Sequence, residues 1–280
     1  MGTNEIQGTF YLVSDGFVFT GGTISGPFGP SLYPKTTTVI NSVLDIPDAF
    51  KVSMPSAVDG VPVNLTNEFE NARLVINSDL TMKNRIILYN GTLILNGDLT
   101  TVSTIGSYSG TGAYFGHLQV NGTQTGCAGY PIGQWSRLSG TGRMELASAN
   151  SEVKIYGRLT PGTDEAPGTL TVKTGKVRFL AGAKMVMRVD LDADKADKLV
   201  CENGSWLISD TDQGAEIEIR ISGKLKETRT YQLYEYDAGY KKNTFVPRIV
   251  RAPGCTALAT FDETTGLLTV KPSGLMLILR

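Results

Sequence analysis

Two aspartates at equivalent positions of a repeated segment have the types and spacing that could support catalysis. Asp79 lies in Leu74-Val-Ile-Asn-Ser-Asp-Leu-Thr81, and Asp98 lies in its close copy, Leu93-Ile-Leu-Asn-Gly-Asp-Leu-Thr100. If the copies stack as neighbouring strands, the two carboxylates lie about 5 Å apart. Carboxylates separated by about 5–9.5 Å can cleave glycosidic bonds. The pair therefore suggests cleavage of a polysaccharide, although a short turn would explain the two aspartates equally well.

An acidic cluster later in the chain is a candidate calcium site. Its four members occur at every second or third residue: Asp190, Asp192, Asp194 and Asp197. Ca²⁺ takes about six to eight oxygen ligands, so such spacing could supply several of them. The glycine and the terminal glutamate of an EF-hand loop are missing, however, and two nearby lysines offset part of the charge. A solvated turn is the competing explanation, and we expect neither a bound metal nor another cofactor.

Three aromatic side chains are the candidate contacts for a sugar ligand. Tyr234 and Tyr236 are two residues apart on one predicted strand and would share a face, and Trp135 stands close to a glycine. Aromatic rings offer large apolar surfaces to a ligand. In a stack of repeats the two tyrosines could instead shield the last unit from water. The single histidine, His117, has no acid and serine near it in the sequence, so we expect it to be a structural or surface residue.

The charge balance and the hydropathy pattern exclude several classes of protein. The chain has 26 Lys and Arg against 27 Asp and Glu, a formal net charge of -1, whereas binding to nucleic acid needs a cationic excess. Hydrophobic residues make up 41% of the chain, which is enough to form a buried core. No apolar run approaches the roughly 18 residues of a membrane-spanning helix. We therefore expect a folded protein without a nucleic-acid partner and without a membrane span in this sequence.

The repeat that contains the two aspartates predicts the fold. Weaker copies follow at Leu118-Gln-Val-Asn-Gly-Thr-Gln-Thr125 and Val153-Lys-Ile-Tyr-Gly-Arg-Leu-Thr160, with Thr123 and Arg158 at the aspartate position. Each copy is a short apolar alternation followed by residues that favour turns. A unit of strands and turns about 19–35 residues long can bury its apolar face by stacking on its neighbours. We predict an all-β parallel solenoid without helices, with up-and-down hairpins as the competing arrangement.

The second half of the chain carries four motifs that resemble a known family. They are, in order, Leu138-Ser-Gly-Thr-Gly, Gly157-Arg-Leu-Thr-Pro-Gly162, Pro167-Gly-Thr-Leu-Thr-Val172 and Ala196-Asp-Lys-Leu-Val200. Over about residues 138–270 this order resembles the strand repeats of bacterial autotransporter passengers. The resemblance implies a right-handed parallel β-helix that is exported through the bacterial envelope, with its last coils acting as a cap. It also implies that Asp197, in the fourth motif, caps a turn.

Together the patterns predict one β-helical domain over residues 1–280. Proline and glycine interrupt the strands over residues 1–70, which we interpret as irregular N-terminal coils. Residues 71–200 would hold the regular coils and residues 201–280 the C-terminal cap. The first residues lack a basic segment followed by an apolar stretch, so we expect an export signal to lie outside this sequence.

These expectations favour a structural function over a catalytic one. We expect a non-catalytic module that is extracellular or on the bacterial cell surface and serves as an adhesive or a structural stalk. Its partners would be host or matrix glycans or proteins, and we expect a monomer. The alternative is a polysaccharide-degrading lyase or glycoside hydrolase on the same scaffold. A viral tail fibre is a third option, but such fibres usually need a trimer.

Overall fold

A computed structural model describes the fold of most of the chain. Between residues 73 and 273 it describes every residue except 78, 83–85, 89–90, 102–103, 108–115, 210–213, 238–240 and 243–244. Before residue 73 it describes the backbone of ten short strands. The irregular coils that the sequence predicts over residues 1–70 therefore lie largely outside the described residues, as do residues 274–280.

The strands before residue 73 are two to four residues long. They are β1 (Asn4–Glu5), β2 (Tyr11–Ser14), β3 (Val18–Phe19), β4 (Thr23–Ser25), β5 (Ser31–Pro34), β6 (Thr37–Ile40), β7 (Val43–Ile46), β8 (Phe50–Val52), β9 (Ala57–Val58) and β10 (Val61–Pro62). All except β9 and β10, which form an antiparallel pair, join the parallel sheets described below.

The strands after residue 72 have two to eight residues, and β30 is the one with eight. The first thirteen are β11 (Arg73–Ile76), β12 (Leu80–Met82), β13 (Ile86–Leu88), β14 (Gly91–Leu95), β15 (Leu99–Thr101), β16 (Ile105–Ser107), β17 (Gly116–Val120), β18 (Thr123–Cys127), β19 (Gly129–Ile132), β20 (Arg137–Gly140), β21 (Arg143–Leu146), β22 (Glu152–Ile155) and β23 (Arg158–Pro161). The remaining strands are β24 (Thr169–Lys173), β25 (Lys176–Phe179), β26 (Lys184–Asp190), β27 (Lys195–Ala196), β28 (Lys198–Glu202), β29 (Trp206–Ser209), β30 (Ala215–Ser222), β31 (Arg229–Gln232), β32 (Tyr234–Tyr236), β33 (Lys241–Lys242), β34 (Phe245–Arg251), β35 (Leu258–Asp262) and β36 (Leu267–Lys271).

Long parallel sheets dominate the fold. The first long sheet has the order β1-β4-β7-β12-β15-β18-β21-β24-β28-β32, and the second long sheet has the order β3-β6-β11-β14-β17-β20-β23-β26-β30-β34. Two short sheets are also parallel. The first short sheet has the order β2-β5-β8-β13-β16, and the second short sheet has the order β19-β22-β25-β29-β33. A parallel bridge between Thr104 and Gly129 connects them. Consecutive strands thus enter different sheets, and each sheet receives about every third strand.

The prediction of an all-β fold is confirmed for the described residues, which contain no helix. A helix able to cross a membrane is accordingly not found among them.

The first three copies of the repeat stack in register, as the sequence predicts. Leu74 of β11 lies opposite Leu93 of β14, which in turn lies opposite Leu118 of β17. All three side chains are buried. Because neighbouring copies pair as parallel strands, the competing arrangement of up-and-down hairpins is wrong. The distance in residues between these copies is therefore the distance between successive strands of the same sheet.

The fourth copy lies in a different sheet from the first three. Val153 of β22 pairs with Tyr130 of β19 in the second short sheet. In the second long sheet, Leu118 is followed instead by Leu138 of β20 and then by Leu159 of β23. The assignment from the sequence is wrong because strands of every sheet alternate buried and solvent-facing residues, so the alternation alone does not identify the sheet.

One continuous apolar core extends from Leu74 to the last strands. It includes Met185 and Met187 of β26 and Ile217 and Ile219 of β30, which the two-residue alternation of the sequence places on the inner face. Burying a side chain of this size contributes about 1.5–3 kcal/mol. The apolar residues of neighbouring parallel strands are adjacent to each other, so the core is one continuous cluster among the described residues.

A small antiparallel sheet closes the described part of the chain. Its order is β31-β36-β35, and we call it the cap sheet. Leu268 and Val270 of β36 and Tyr231 of β31 are buried members of the core. The change from parallel to antiparallel pairing allows these strands to cover core residues without offering a further parallel edge.

Candidate functional site

Asp79 and Asp98 bond to the backbone of the following turn of chain. Oδ1 of Asp79 accepts a hydrogen bond from the backbone N–H of Asp98 at 2.9 Å. Oδ1 of Asp98 accepts one from the backbone N–H of Thr123 at 2.8 Å. Both segments lie between a strand of the second long sheet and a strand of the first. This geometry explains both aspartates as turn residues, and a catalytic role for them stays a hypothesis.

Asparagine side chains form a second series of bonds beside the aspartates. Nδ2 of Asn96 donates to Oδ1 of Asn77 at 2.6 Å, and Nδ2 of Asn121 donates to Oδ1 of Asn96 at 2.7 Å. An amide both donates and accepts, so the series can continue from one turn to the next. We call these three asparagines, together with Asp79 and Asp98, the polar ladder. The asparagine and the aspartate of each of the first two copies are therefore explained by hydrogen bonds to the next copy.

The four aspartates of the candidate calcium site bond to separate partners. Oδ1 of Asp190 accepts hydrogen bonds from the backbone N–H groups of the second and third residues after it. Asp192 accepts from the backbone N–H of Lys224 at 3.0 Å, and Asp194 forms an ion pair with Arg229 at 2.8 Å. Within the described part of the chain, no group of three or more His, Cys, Asp or Glu side chains could hold a metal ion. Their placement therefore gives the calcium hypothesis no support.

Asp197, the fourth of these aspartates, forms a buried pair with Arg188. Its side chain is 0% exposed. Oδ2 accepts from both Nε and the backbone N–H of Arg188 at 2.8 Å, and Oδ1 accepts from the backbone N–H of Gly168 at 3.0 Å. Burial raises the pKa of the Asp197 carboxyl, against the opposing effect of the Arg188 guanidinium and the backbone donors. We call this pair the Arg188–Asp197 latch.

The latch holds the loop between β23 and β24. The guanidinium of Arg188 donates to the carbonyl oxygens of Thr163 at 2.5 Å and of Pro161 and Ala166 at 3.0 Å. One arginine thus satisfies three carbonyl groups of the loop and the carboxylate of Asp197. The sequence resemblance identifies Asp197 as a turn residue, but Arg188 has no counterpart in the motifs from which that resemblance was drawn.

Tyr234 and Tyr236 belong to an aromatic cluster under the cap sheet. The Tyr234 ring is 0% exposed, and its centroid lies 5.8 Å from that of Phe245 and 6.0 Å from that of Phe261. The hydroxyl of Tyr234 donates to the backbone carbonyl of Glu263, and the hydroxyl of Tyr236 donates to that of Thr264. Burial raises the pKa of Tyr234 well above its usual range. This packing agrees with shielding of the last turn, and sugar binding by these tyrosines stays a prediction.

Trp135 is exposed and lies beside a groove. It stands in a tight turn in which the backbone N–H of Ser136 donates to the carbonyl of Gly133 at 2.9 Å. The exposed fraction of Trp135 is 57%. The groove has a volume of about 370 Å³ and is lined by Gln134, Trp135, Ser136, Arg137, Gly157, Arg158, Gly182 and Lys184. We call it the Trp135 groove.

Three basic residues stack along the floor of the Trp135 groove. Arg137 of β20 lies opposite Arg158 of β23, which lies opposite Lys184 of β26. Arg137 forms an ion pair with Asp164 at 2.6 Å, and Lys184 forms one with Glu216 at 3.0 Å. We call these three cations the basic column.

Arg158, in the middle of the basic column, is exposed, and its guanidinium has no ion-pair or hydrogen-bond partner among the described residues. Reasoning from the sequence did not find the basic column. The signal was present in the pairs Arg137-Leu138, Arg158-Leu159 and Lys184-Met185, in each of which a basic residue comes directly before a core residue.

His117 precedes the basic column on the same sheet, opposite Arg137. Its Nε2 shares a hydrogen bond with Oγ of Ser139 at 2.7 Å. Burial, followed by the nearby charge of Arg137, lowers the pKa of His117 to about 4. The imidazole is therefore neutral at physiological pH.

The three cysteines are buried and free of disulfides. Burial raises the pKa of the Cys127 thiol, and it raises that of the Cys201 thiol to about 12. The thiolate is the nucleophilic form of cysteine. These two side chains therefore act as small apolar core residues.

Comparison of the sequence with protein-family models finds no match. Comparison with curated proteins also finds none. The resemblance to autotransporter passengers therefore rests on the four motifs and on the parallel sheets, and it enters below as part of a proposal.

Proposed function

We propose that the chain is a right-handed parallel β-helix that serves as a non-catalytic adhesive or structural module on the outside of a bacterial cell. The observation that carries the proposal is the sheet order, because successive strands enter different sheets and each sheet grows by one parallel strand per turn. A chain that winds in this way produces an elongated scaffold with long side surfaces. Such surfaces suit the binding of host or matrix glycans or proteins.

The use of the ionisable side chains supports the structural part of the proposal. The carboxylates of Asp79 and Asp98 bond to backbone N–H groups, and Asp197 is held by Arg188. Further acidic side chains pair with basic ones on neighbouring strands, as Glu145 does with Lys173 at 3.1 Å. These carboxylates contribute to stacking of the turns, which is the work expected in a stalk.

The resemblance to autotransporter passengers supports the location. The four motifs occur in the order of that family, and in the structure they lie at strands β20, β23, β24 and β28 of the two long sheets, ahead of most of the cap region in the sequence. A stable C-terminal end is what the resemblance implies for the last coils. We therefore propose an exported, monomeric module whose partners lie outside the cell.

Two measurements on the same protein test the proposal. Bacteria that display the chain from a heterologous surface anchor should adhere to matrix-coated surfaces more than bacteria with the anchor alone. The purified chain, incubated with neutral and acidic polysaccharides, should release neither new reducing ends nor unsaturated sugars. Product release would overturn the non-catalytic function in favour of a lyase or glycoside hydrolase, and adhesion equal to the anchor control would overturn the adhesive one.

The variant Asp98→Asn separates the two functions further. Asparagine keeps the side-chain oxygen that accepts the Thr123 N–H, so the fold and adhesion should be unchanged. A hydrolase that uses the Asp79 and Asp98 carboxylates as acid and base would lose its activity in this variant.

A further inference from the structure

We propose that the Trp135 groove binds an acidic saccharide, with a sugar ring on the indole of Trp135 and the anionic group of the saccharide on Arg158. This inference rests on the proposed adhesive function and names the chemical class of its ligand. It deepens the sequence-based expectation for Trp135 by adding the cations that the fold brings beside it.

The aromatic side of the groove fits a sugar ring. Trp135 is 57% exposed although it is among the largest apolar side chains, so its indole face offers apolar surface to a ligand. The C–H face of a pyranose is apolar, whereas its edges carry hydroxyl groups, and an indole can cover the former. The exposed amide of Gln134, the residue directly before Trp135, can both donate to and accept from hydroxyl groups.

The charge of the groove selects an anionic ligand. Its lining includes three basic side chains and no acidic one. Asp164 and Glu216 form ion pairs with the outer two cations, Arg137 and Lys184, whereas the guanidinium of Arg158 between them has no partner among the described residues. Neighbouring strands are about 4.8 Å apart, so the column extends over roughly 10 Å. A guanidinium bonds to two oxygens of a carboxylate or sulfate at once, which favours such a group at Arg158.

Backbone packing fixes the position of the turn that carries Trp135 before a ligand arrives. A Cβ atom at Gly157 would lie 2.3 Å from the carbonyl oxygen of Ser136 and 2.4 Å from that of Gly133. The Trp135 turn therefore rests directly on the backbone of the next turn of chain. A site that is ordered in advance loses less conformational entropy on binding.

The whole chain disfavours the main competing anion, a nucleic acid. A base could also stack on Trp135, but nucleic-acid binding depends on many phosphate contacts and a cationic excess. The formal net charge of this chain is -1. A short saccharide with a few carboxylate or sulfate groups matches three adjacent cations better than a polyanion does.

Titrations with defined oligosaccharides test the proposal. The probes are an oligogalacturonate, which carries carboxylates, a heparin-derived oligosaccharide, which carries sulfates, and a neutral malto-oligosaccharide of similar length. Trp135 and Trp206 are the two tryptophans, so ligand-induced fluorescence changes can be assigned with the variant Trp135→Phe. We expect at least one acidic probe to bind, the neutral probe not to bind, and the affinity to fall as the salt concentration rises.

Paired variants identify the groove as the site. Trp135→Ala and Arg158→Gln should each weaken binding by about tenfold or more, because each removes a principal contact. Lys226→Gln removes an exposed cation outside the groove and should leave the affinity unchanged. Circular dichroism and thermal unfolding should not distinguish these three variants from the wild type.

Two substitutions at Gly182 give a second pair of variants, which differ from each other mainly in charge. It lines the groove with a φ of +81°, and a Cβ atom there would meet nothing within 4 Å. Asn and Asp are the residues that best tolerate such a conformation. Gly182→Asp should weaken binding of the acidic probe several-fold more than Gly182→Asn, which has nearly the same shape without the charge.

Three results would overturn the proposal: no acidic probe binds, binding is insensitive to Trp135→Ala and Arg158→Gln, or a single-stranded DNA oligomer binds the groove as tightly as the saccharides. Adhesion of the displayed chain distinguishes these failures from a failure of the proposed function. If the displayed Arg158→Gln variant adheres as well as the wild type and the probes do not bind, the module is adhesive through another surface. If neither adhesion nor probe binding is observed, both proposals fail.

Discussion

Gln124 is a polar residue at a buried position where the neighbouring strands have apolar residues. It lies in β18 between Leu99 and Met144 of the neighbouring strands and is 0% exposed. Neither its amide nitrogen nor its amide oxygen has a hydrogen-bond partner among the described residues. A buried amide without partners loses its hydrogen bonds to water on folding. This position therefore destabilises the native state.

Replacement of Gln124 by methionine should stabilise the protein. Methionine has nearly the same shape without the polar atoms, so the free energy of unfolding should rise by about 1–3 kcal/mol. Chemical denaturation measures it. The control is Gln232→Met, because Nε2 of Gln232 donates to the carbonyl oxygens of Tyr234 and Thr265, and its loss should destabilise the protein. A stability gain in both variants, or in neither, would contradict this account of Gln124.

His117 should make stability depend on pH in a defined window. Its folded pKa of about 4 lies below the ordinary value of 6.5, so protons favour the unfolded state. The stabilisation is present above about pH 6.5 and is lost as the pH falls through about 4. Arg137 and Arg73 add to this shift, whereas Asp164 opposes it.

Two measurements check the His117 prediction. As the only histidine, it gives a single imidazole signal by NMR, whose titration should have its midpoint well below 6. The unfolding free energy of wild type should fall relative to that of His117→Gln between pH 6.5 and 4. A midpoint near 6.5 would show that the side chain is solvated in the folded protein.

The sequence identified single residues but not their partners. The motif around Asp197 predicts a turn residue, and the structure explains it by contacts with Gly168 and Arg188. Arg188 is outward-facing in the alternation of β26, and nothing in its own segment separates it from an ordinary surface arginine. Its role depends on the loop of the preceding turn, which the fold brings within reach.

At the scale of elements, the Arg188–Asp197 latch joins β26, β28 and the loop before β24. We expect Arg188→Met to lower the free energy of unfolding by about 3–5 kcal/mol, because it leaves a buried carboxylate unpaired. The control is Arg220→Met, the register partner of Arg188 one turn later. Arg220 is 49% exposed and pairs with Glu218, so its loss should cost about 0–1 kcal/mol.

Denaturant unfolding of both arginine variants measures the difference, and limited proteolysis reports on the loop that the latch holds. Faster cleavage within residues 162–168 of Arg188→Met is the expected local result. Equal stability losses in the two variants would show that the buried carboxylate does not depend on Arg188.

The spacing of the elements was predictable where the residues of the repeat are similar. The series Leu74, Leu93 and Leu118 gives the correct sheet and register. The prediction of the sheet failed at Val153 because the fourth copy lacks the Asn and Asp residues of the polar ladder. Without those residues, only the alternation remained, and the alternation is common to strands of all sheets.

At the scale of the whole molecule, the last described strand of the second long sheet bears on the oligomeric state. β34 is the last strand of that sheet, and Pro247 and Arg248 are exposed on it. Proline lacks the N–H group that an incoming strand would use, and a charged side chain disfavours close approach. These two residues protect the edge against pairing with a second copy of the chain.

The double variant Pro247→Val, Arg248→Val should therefore self-associate. Light scattering as a function of concentration should give a monomer for the wild type and a rising mass for the variant. Pro253→Val, which makes a similar change in an exposed turn outside any strand, should resemble the wild type. A monomeric double variant would show that the edge is covered by other means.

Composition and periodicity together predicted an all-β, helix-free fold, but they did not predict which side chains lie together in the Trp135 groove. The Trp135 groove combines a turn between β19 and β20 with basic residues from three successive turns of chain. Its residues extend from 134 to 184 in the sequence, and each is unremarkable alone. Only the stacking of turns makes them neighbours, so no local motif could report the groove.

The polar ladder also bears on how a molecule of this kind can change its length. Asn77 and Asn96 are 19 residues apart and bond to each other, and Asp79 and Asp98 repeat that spacing. A tandem duplication of residues 74–92 would present the same donors and acceptors at both junctions. It would lengthen the protein by about 4.8 Å, measurable by small-angle scattering, with little loss of stability. Duplication of this segment in the gene could thus change the length of the protein without changes in its N- and C-terminal segments.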